Sequence, residues 1–146
     1  MSLNTQKVVT RFAPSPTGFM HIGGARTALF AYLLARKNNG TLILRIEDTD
    51  RERIVAGSIE HIQATLAWLG IEWDYGPDKE GPWGSCIQSE RLPIYKKYAE
   101  QLLAKGLAYP DPYTKEELAA FRTTAEAEKR PFLFRDQRPE TFEVWD

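Results

Sequence analysis

Apolar residues in the first half of the chain alternate between short runs and longer stretches with helical spacing. Residues 8–12 and 41–46 are apolar runs rich in β-branched side chains, which are typical of buried strands. Residues 21–37 and 54–69 carry apolar side chains three and four positions apart, the spacing of an amphipathic helix. Because strand and helix alternate with short connections, the pattern predicts an α/β fold with a parallel sheet and right-handed crossovers.

The middle of the chain mixes aromatic residues with turn-forming residues. Residues 71–85 interleave glycine and proline with two tryptophans and a tyrosine, which predicts a long ordered loop packed by its rings. Ser89 is then a candidate cap for a third helix, because Pro93 is tolerated in a first helical turn and Gly106 can end the helix.

The last third of the chain predicts one more helix between extended segments. Thr114 and Glu117 have the spacing of a capping box, so a charged helix is expected to begin there and to end before Pro131. Residues 132–134 suggest the start of a strand, and residues 141–146 alternate like another. Because no partner strand follows the last of these, we expect the chain to be part of a longer protein.

Composition and charge narrow the class of protein. The 146 residues carry 19 Lys and Arg against 20 Asp and Glu, so no global field attracts nucleic acid and any RNA contact needs a local patch. No apolar run approaches the roughly 18 residues of a membrane span, and the polar start predicts no signal peptide. The single cysteine, Cys86, excludes an internal disulfide. These features predict a cytoplasmic protein without a membrane contact.

The chemistry is concentrated at the carboxyl ends of the two predicted strands. Residues 14–24 (PSPTGFMHIGG) join the first strand to the first helix. Proline and glycine make this turn tight, the glycines allow a ligand to approach closely, and the N–H groups and dipole of the helix start favour anions. Residues 42–50 place charged groups at the end of the second strand. Together the two segments predict nucleotide chemistry.

Five segments closely resemble the bacterial-type glutamyl-tRNA synthetases. They are residues 11–18 (RFAPSPTG), 21–30 (HIGGARTALF), 45–50 (RIEDTD), 76–78 (GPD) and 88–92 (QSERL), in the family's order and with similar spacing. The resemblance covers nearly the whole chain and weakens after about residue 110. It implies the first half of a class I synthetase catalytic domain of Rossmann type, which adenylates glutamate with ATP and Mg²⁺ and then esterifies tRNA.

The resemblance also implies domain boundaries, and the chain departs from the family's pattern in two respects. Residues 1–108 would belong to the nucleotide-binding catalytic domain, and residues 109–146 would begin an inserted connective, acceptor-binding subdomain. The chain lacks the Lys-Met-Ser-Lys-Ser-like loop that grips the triphosphate, so we expect the isolated chain to form adenylate slowly or not at all. Residues 111–113 replace a Cys-x-Cys zinc half-site of many members, and with one cysteine we expect no zinc.

The implied first step explains which residues the site needs. The substrate carboxylate is already ionised, so no general base is required. The reaction instead requires that the substrates are positioned in line and that charge on the phosphate oxygens is stabilised. His21, at the start of a helix, is the candidate catalytic donor to a phosphate oxygen, with Thr17 as a second donor. The candidate ATP-binding residues are those of the turn and helix start: Pro14, Ser15, Thr17, Gly18, His21, Gly23 and Gly24.

Each of these assignments has a structural alternative. His21 could only cap or pack at the helix start, and Thr17 could make an ordinary turn hydrogen bond. Gly23 and Gly24 each cost about 1 kcal/mol relative to alanine in a helix. Close approach of adenine or ribose would justify that cost, and so would tight helix–strand packing.

Amino-acid recognition is assigned to the strand ends. The Arg11 guanidinium matches a carboxylate bidentately, and Glu47 suits the substrate ammonium. The resemblance adds Ala13 and Ser15 to this glutamate site. The alternative is a plain ion pair of Glu47 with Arg11 or with Arg45.

The resemblance also brings three residues after the second strand to the acceptor end of tRNA: Thr49, Asp50 and Arg53. From the residues alone, this mixed-charge stretch is typical of a solvated helix start. His61, in the middle of the second predicted helix, is interpreted as structural or solvent-facing.

The resulting hypothesis is the N-terminal part of a glutamyl-tRNA synthetase, expected to be a monomer. A glutamyl-queuosine tRNA synthetase type is a close alternative, against which Thr49 and residues 23–27 argue. A small nucleotidyltransferase of the same superfamily is more distant, and a non-catalytic ATP-binding fragment is the alternative from another class.

Overall fold

The computed structural model describes residues 7–137, which divide after Ile94 into two compact units. The strands and helices are β1 (Val9–Phe12), α1 (Ile22–Lys37), β2 (Thr41–Leu44), α2 (Ser58–Trp68), α3 (Leu92–Ala104) and α4 (Lys115–Ala127). Short 3-10 turns lie at Arg51–Arg53, Gln88–Arg91 and Phe134–Gln137. The predicted domain boundary at residue 108 stays a prediction.

The two strands form a parallel pair, which confirms the predicted α/β fold. The register runs from Val9 opposite Thr41 to Phe12 opposite Leu44. Pairing continues beyond both strands, because the Arg45 N–H donates to the Phe12 carbonyl at 2.9 Å. A parallel connection through a helix therefore sets the carboxyl ends of β1 and β2 side by side.

The core of the first unit lies between these strands and the two helices that follow them. Its buried residues come from β1, α1, β2, α2 and the segments after β2 and α2: Phe12, Ala28, Ala35, Leu42, Leu44, Ile46, Ile62, Leu66 and Ile71. Helix α1 buries Ala28 and Ala35, whose small side chains let the helix approach the sheet closely. The Thr10 hydroxyl of β1 consequently reaches the Ala31 carbonyl of α1 at 2.9 Å. Leu29 and Leu33, two apolar residues of the stretch 21–37 predicted to form an amphipathic helix, are exposed.

The second helix begins later than its apolar spacing predicts. A 3-10 turn occupies Arg51–Arg53, and α2 starts only at Ser58, after Gly57 with a φ of 76°. That left-handed value favours glycine. The buried Ser58 hydroxyl donates to the Pro16 carbonyl at 2.8 Å, so the helix start is tied to the loop that follows β1.

The predicted cap at Ser89 is wrong. Ser89 lies inside the 3-10 turn that precedes α3, and its hydroxyl and N–H both donate to the Asp48 carboxylate, at 2.6 and 2.8 Å. The prediction of an aromatic-packed loop is confirmed: the rings of Tyr75 and Trp83 meet edge-on at 5.5 Å, and the Trp73 indole donates to Asp78.

The second unit contains the predicted capping box. The Thr114 hydroxyl accepts from the Glu117 N–H at 3.2 Å, and the Glu117 carboxylate accepts from the Thr114 N–H at 2.8 Å. The strand predicted at residues 132–134 is wrong, since a 3-10 turn begins at Phe134. The strand predicted at residues 141–146 lies outside the described residues. Within the described chain, no helix has the length and hydropathy to cross a membrane.

An ion pair joins the C-terminal end of α1 to the segment after α2. One carboxylate oxygen of Asp74 accepts from the Arg36 guanidinium at 2.9 Å and from the Leu42 N–H at 2.7 Å. Burial is the largest single influence and raises the pKa of the Asp74 carboxyl, but the hydrogen bonds from Leu42 and Arg36, together with nearby positive charge, leave this pKa below its usual value. The hydrogen bond to Asp74 raises the pKa of Arg36.

We expect Asp74→Asn to reduce stability in a pH-dependent way. A folded-state pKa below the unfolded value means that the carboxylate stabilises the fold above the unfolded pKa and loses this contribution as pH falls through the folded pKa. The difference in unfolding free energy between the parent chain and the variant should therefore shrink between pH 6 and pH 3. We expect about 1 kcal/mol at most, because both side chains are over a third exposed.

Urea unfolding at pH 6, 4 and 3 measures this difference. Glu60→Gln, which also removes one exposed carboxyl, is the matched substitution control. A gap between Asp74→Asn and the parent that stays constant down to pH 3 would contradict the prediction.

Candidate functional site

The loop between β1 and α1 is held by hydrogen bonds to segments far along the chain. The Pro14 carbonyl accepts from the Glu47 N–H at 2.9 Å. The Pro16 carbonyl accepts from the Val55 N–H at 3.0 Å and from the Ser58 hydroxyl at 2.8 Å. Pro14 and Pro16 have no N–H to donate, and their carbonyls anchor the loop to the segments that follow β2.

His21 caps helix α1 with its imidazole. Its backbone is extended (φ −110°, ψ 172°), and Nδ1 accepts the Gly23 N–H at 3.1 Å. A ring nitrogen that accepts a hydrogen bond carries no proton, so a neutral His21 in this geometry bears its proton on Nε2. The cap therefore leaves one N–H donor at the far side of an exposed ring, beside the N-terminus of α1.

A cavity of about 360 Å³ lies beside this cap. It is bounded by residues of β1, the loop, the first turn of α1 and one side chain of α2: Phe12, Pro14, Ser15, Thr17, Gly18, Phe19, Met20, His21, Gly24 and Ile62. Six of the seven predicted ATP-binding residues line it, and both predicted catalytic residues do. The remaining one, Gly23, lies beside His21 and outside the lining.

The glycines of this region meet different neighbours. A Cβ on Gly23 would come within 2.8 Å of Cε1 and 3.0 Å of Nδ1 of His21, so an alanine there would displace the capping ring. A Cβ on Gly24 would meet the flexible Met20 side chain at 3.1 Å. A Cβ on Gly18 would meet nothing within 4 Å. The position of the His21 ring in the cap therefore explains why residue 23 is a glycine.

The predicted glutamate-binding residues lie at the carboxyl ends of the strands, but Glu47 has a partner. The Arg45 guanidinium donates to Glu47 at 2.9 Å, which is one of the two ion pairs considered from the sequence. Arg45 Nε is buried and has no hydrogen-bond partner in the described part of the chain. Arg11 is exposed on β1 opposite Ile43. Ala13 follows β1 directly.

The three predicted tRNA contacts are exposed after β2. Arg53 pairs with Asp50 at 2.6 Å within the 3-10 turn, and Thr49 precedes that pair. These side chains are near one another along the chain, and their role toward tRNA stays a prediction.

The sequence alone did not predict two long-range contacts around the site. The Asp48 carboxylate accepts hydrogen bonds from the N–H and hydroxyl of Ser89. These bonds join the segment after β2 to the 3-10 turn before α3. His61 of α2 accepts the Met20 N–H at 3.3 Å. Asp48 and Ser89 both lie in segments that carry the resemblance, which marks each residue as a candidate but does not pair them. His61 has no such signal, because it lies outside those segments.

The part of the chain that the structure describes contains no group of three or more His, Cys, Asp or Glu residues able to hold a metal ion. The expectation that no zinc is bound stays a prediction.

Comparisons with known proteins agree on one family. The family model described as tRNA synthetases class I (E and Q), catalytic domain, matches residues 7–142. A glutamate–tRNA ligase of Anaeromyxobacter sp. (strain Fw109-5) is 57% identical over 124 residues, which is 85% of this chain and 26% of that protein. A glutamate–tRNA ligase of Clostridium botulinum (strain Hall) is 55% identical over 130 residues, 89% of this chain and 27% of the relative.

Solved structures give the same result. The crystal structure of a glutamate-tRNA synthetase from Elizabethkingia anophelis superposes with a TM-score of 0.82 at 50% identity, covering 87% of this chain and 26% of that one. A glutamate tRNA ligase from Elizabethkingia meningosepticum, in complex with its amino acid, superposes with a TM-score of 0.81. This chain thus spans about a quarter of the length of these relatives. The family match over most of the chain, together with the parallel α/β fold, shows that the chain belongs to the catalytic-domain family of the class I tRNA synthetases for glutamate and glutamine.

Proposed function

We propose that this chain supplies the N-terminal part of the active site of a glutamate–tRNA ligase, which activates L-glutamate with ATP and transfers it to tRNA. The observation that carries the proposal is the His21 cap. It leaves an Nε2–H donor beside the N-terminus of α1, next to a cavity lined by the Pro-Ser-Pro-Thr-Gly turn.

The cavity suits a phosphate group. Helix N-termini favour anions, and residues 21–25 include no acidic side chain that would oppose one. Gly18 leaves open space at the turn, and Thr17 adds a hydroxyl donor to the lining. Mg²⁺ would enter with ATP, since this ion is usually held by substrate phosphates together with water and one or two carboxylates.

Adenylation requires the glutamate carboxylate to attack the α-phosphorus while pyrophosphate leaves with the bonding electron pair. Negative charge on the phosphate oxygens must be stabilised in the transition state. In the proposed mechanism His21 Nε2–H donates to one of those oxygens. Because the cap fixes the ring before ATP arrives, the donor pays little reorganisation cost during the reaction.

Glutamate would bind at the carboxyl ends of β1 and β2. Arg11 would pair with the substrate side-chain carboxylate and Glu47 with its ammonium, with Ala13 and Ser15 completing the site. The ion pair with Arg45 supports this arrangement for Glu47, because it orients the Glu47 carboxylate through one oxygen and leaves the other available. The tRNA acceptor end would approach Thr49, Asp50 and Arg53.

The remaining parts of the proposal follow the resemblance. The protein would act as a cytoplasmic monomer without zinc. Since this chain spans about a quarter of its relatives, contacts to the triphosphate are expected from residues that it does not contain.

A chimera tests the proposed function. In it, the 124 residues of this chain that match the Anaeromyxobacter glutamate–tRNA ligase replace the corresponding segment of that enzyme. We expect the chimera to catalyse glutamate-dependent exchange between ATP and pyrophosphate, and the isolated 146-residue chain to bind ATP in a titration with little or no exchange.

A chimera that unfolds cooperatively yet shows no glutamate-dependent exchange would overturn the proposed function. Rapid exchange by the isolated chain would instead contradict the expectation that its site is incomplete. ATP binding by a chimera without exchange would favour the non-catalytic alternative.

A further inference from the structure

The backbone just before His21 is held by a side chain of a different element. The N–H of Met20 donates to Nδ1 of His61 at 3.3 Å, and this contact joins the loop to the middle of α2. The Phe19 ring lies over the same imidazole, with ring centroids 4.7 Å apart and an angle of 48°. His61 therefore contacts two consecutive loop residues, once as an acceptor and once as an aromatic surface.

The Met20 N–H requires Nδ1 of His61 to be an acceptor, and a second polar group lies close to the same nitrogen. The Thr65 hydroxyl, one helical turn further along α2, lies 3.5 Å from the same Nδ1. The neighbouring residue Ile62 is buried and lines the cavity beside His21. Because α2 is packed into the core through Ile62, the position of the His61 ring is set by the fold rather than by the loop.

The contact bears directly on the candidate catalytic residue. Met20 immediately precedes His21, and its side chain packs against Gly24 in the first turn of α1. The peptide that carries the Met20 N–H therefore determines where the chain enters the His21 cap. A loop with few anchors could otherwise rotate here, since its other described hydrogen bonds are made at Pro14 and Pro16.

We propose that His61 is a positioning residue that holds Met20 so that His21 is preset beside the cavity. The inference rests on the proposed function for its effect on ATP, but the contact itself is independent of any ligand. The acceptor at Nδ1 carries the effect, and the tilted ring contact with Phe19 supports it.

Two variants separate the acceptor from the ring. His61→Asn keeps an acceptor, because Asn Oδ1 reaches about as far from the backbone as His Nδ1. His61→Phe keeps an aromatic ring for Phe19 and removes the acceptor. Glu60→Gln, on the exposed side of α2, is the control.

The first measurement is amide hydrogen exchange in the ¹⁵N-labelled 146-residue chain. We expect exchange of the Met20 amide to become roughly tenfold faster in His61→Phe, the scale of one net hydrogen bond, and to stay near the parent rate in His61→Asn. The core amide of Leu44 serves as an internal reference, because a loss of global stability would accelerate both amides alike.

The second measurement is ATP titration of the same proteins. We expect the affinity to fall roughly tenfold in His61→Phe and to be restored in His61→Asn. Unchanged Met20 exchange in His61→Phe, or equal acceleration in both variants, would overturn the inference. If the parent chain binds ATP, an effect on Met20 exchange without any effect on ATP affinity would also overturn it.

The two proposals fail in different ways. If the parent chain and the chimera bind no ATP while Met20 exchange still depends on the acceptor, the proposed function is wrong and the role of His61 in holding the loop stands. If the chimera is active and Met20 exchange ignores His61, the function stands and the role of His61 is wrong.

Discussion

Replacing His21 with alanine in the chimera is expected to lower glutamate-dependent ATP–pyrophosphate exchange by about 10²- to 10³-fold, the usual effect of removing one preorganised donor to a developing anion. The variant loses both functions of the ring: the cap, in which Nδ1 accepts the Gly23 N–H, and the donor at Nε2. Loss of the cap alone should cost about 1 kcal/mol of stability, which urea unfolding can measure separately.

Two further substitutions at the same position distinguish these functions. His21→Asn keeps a good N-cap acceptor but lacks a donor at the distance of Nε2, so stability should stay near the parent while exchange remains low. His21→Gln reaches about as far as Nε2 with its amide and should recover part of the exchange rate. Full activity in His21→Asn would show that His21 only caps the helix, and the proposed donor role would be wrong.

Gly40→Ala is expected to destabilise the first unit by about 3 kcal/mol, the upper part of the range for forced overpacking. A Cβ at this position would lie 2.3 Å from the Val8 carbonyl oxygen, which accepts the Thr41 N–H at 2.9 Å. Neither backbone segment can move without disturbing the first pairing of β1 with β2. Urea unfolding at neutral pH measures the loss.

The matched control for this prediction is the preceding residue. Asn39 has a φ of 47°, whereas the φ of Gly40 is not in the left-handed region. Asn39→Gly should therefore be neutral or slightly stabilising, because glycine adopts a positive φ without a steric cost. If Gly40→Ala is neutral and Asn39→Gly destabilises, the close approach of Val8 does not restrict this turn.

The comparison of these neighbours shows how far a local signal reaches. The helical spacing of residues 21–37 correctly predicted the end of α1 at Lys37, which the turn-forming residues 38–40 (Asn-Asn-Gly) follow. The pattern would assign the left-handed conformation to glycine by preference, and the structure gives it to Asn39 instead. Gly40 is needed because another strand passes close to it, and no local pattern contains that strand.

The features of the candidate site likewise divide into those that the sequence predicts and those that only the structure shows. The turn after β1, the helix that follows it and the meeting of two strand ends could all be predicted from spacing and alternation. The acceptor of the Met20 N–H could not, and neither could the partner of Ser89. Among the ion pairs considered for Glu47, only the structure selects Arg45.

The sequence by itself determined the features whose partners lie within a few residues: the Thr114 capping box, the turn before α1 and the alternation that makes the sheet parallel. These features depend on residue type and short spacing, so they can be predicted from the sequence. Only the tertiary structure decided the start of α2 at Ser58, the hydrogen bonds between Asp48 and Ser89 and the contact of His61 with the loop. A serine hydroxyl or an imidazole can bond equally well to several partners. Packing of elements about forty residues apart chooses which partner comes within reach.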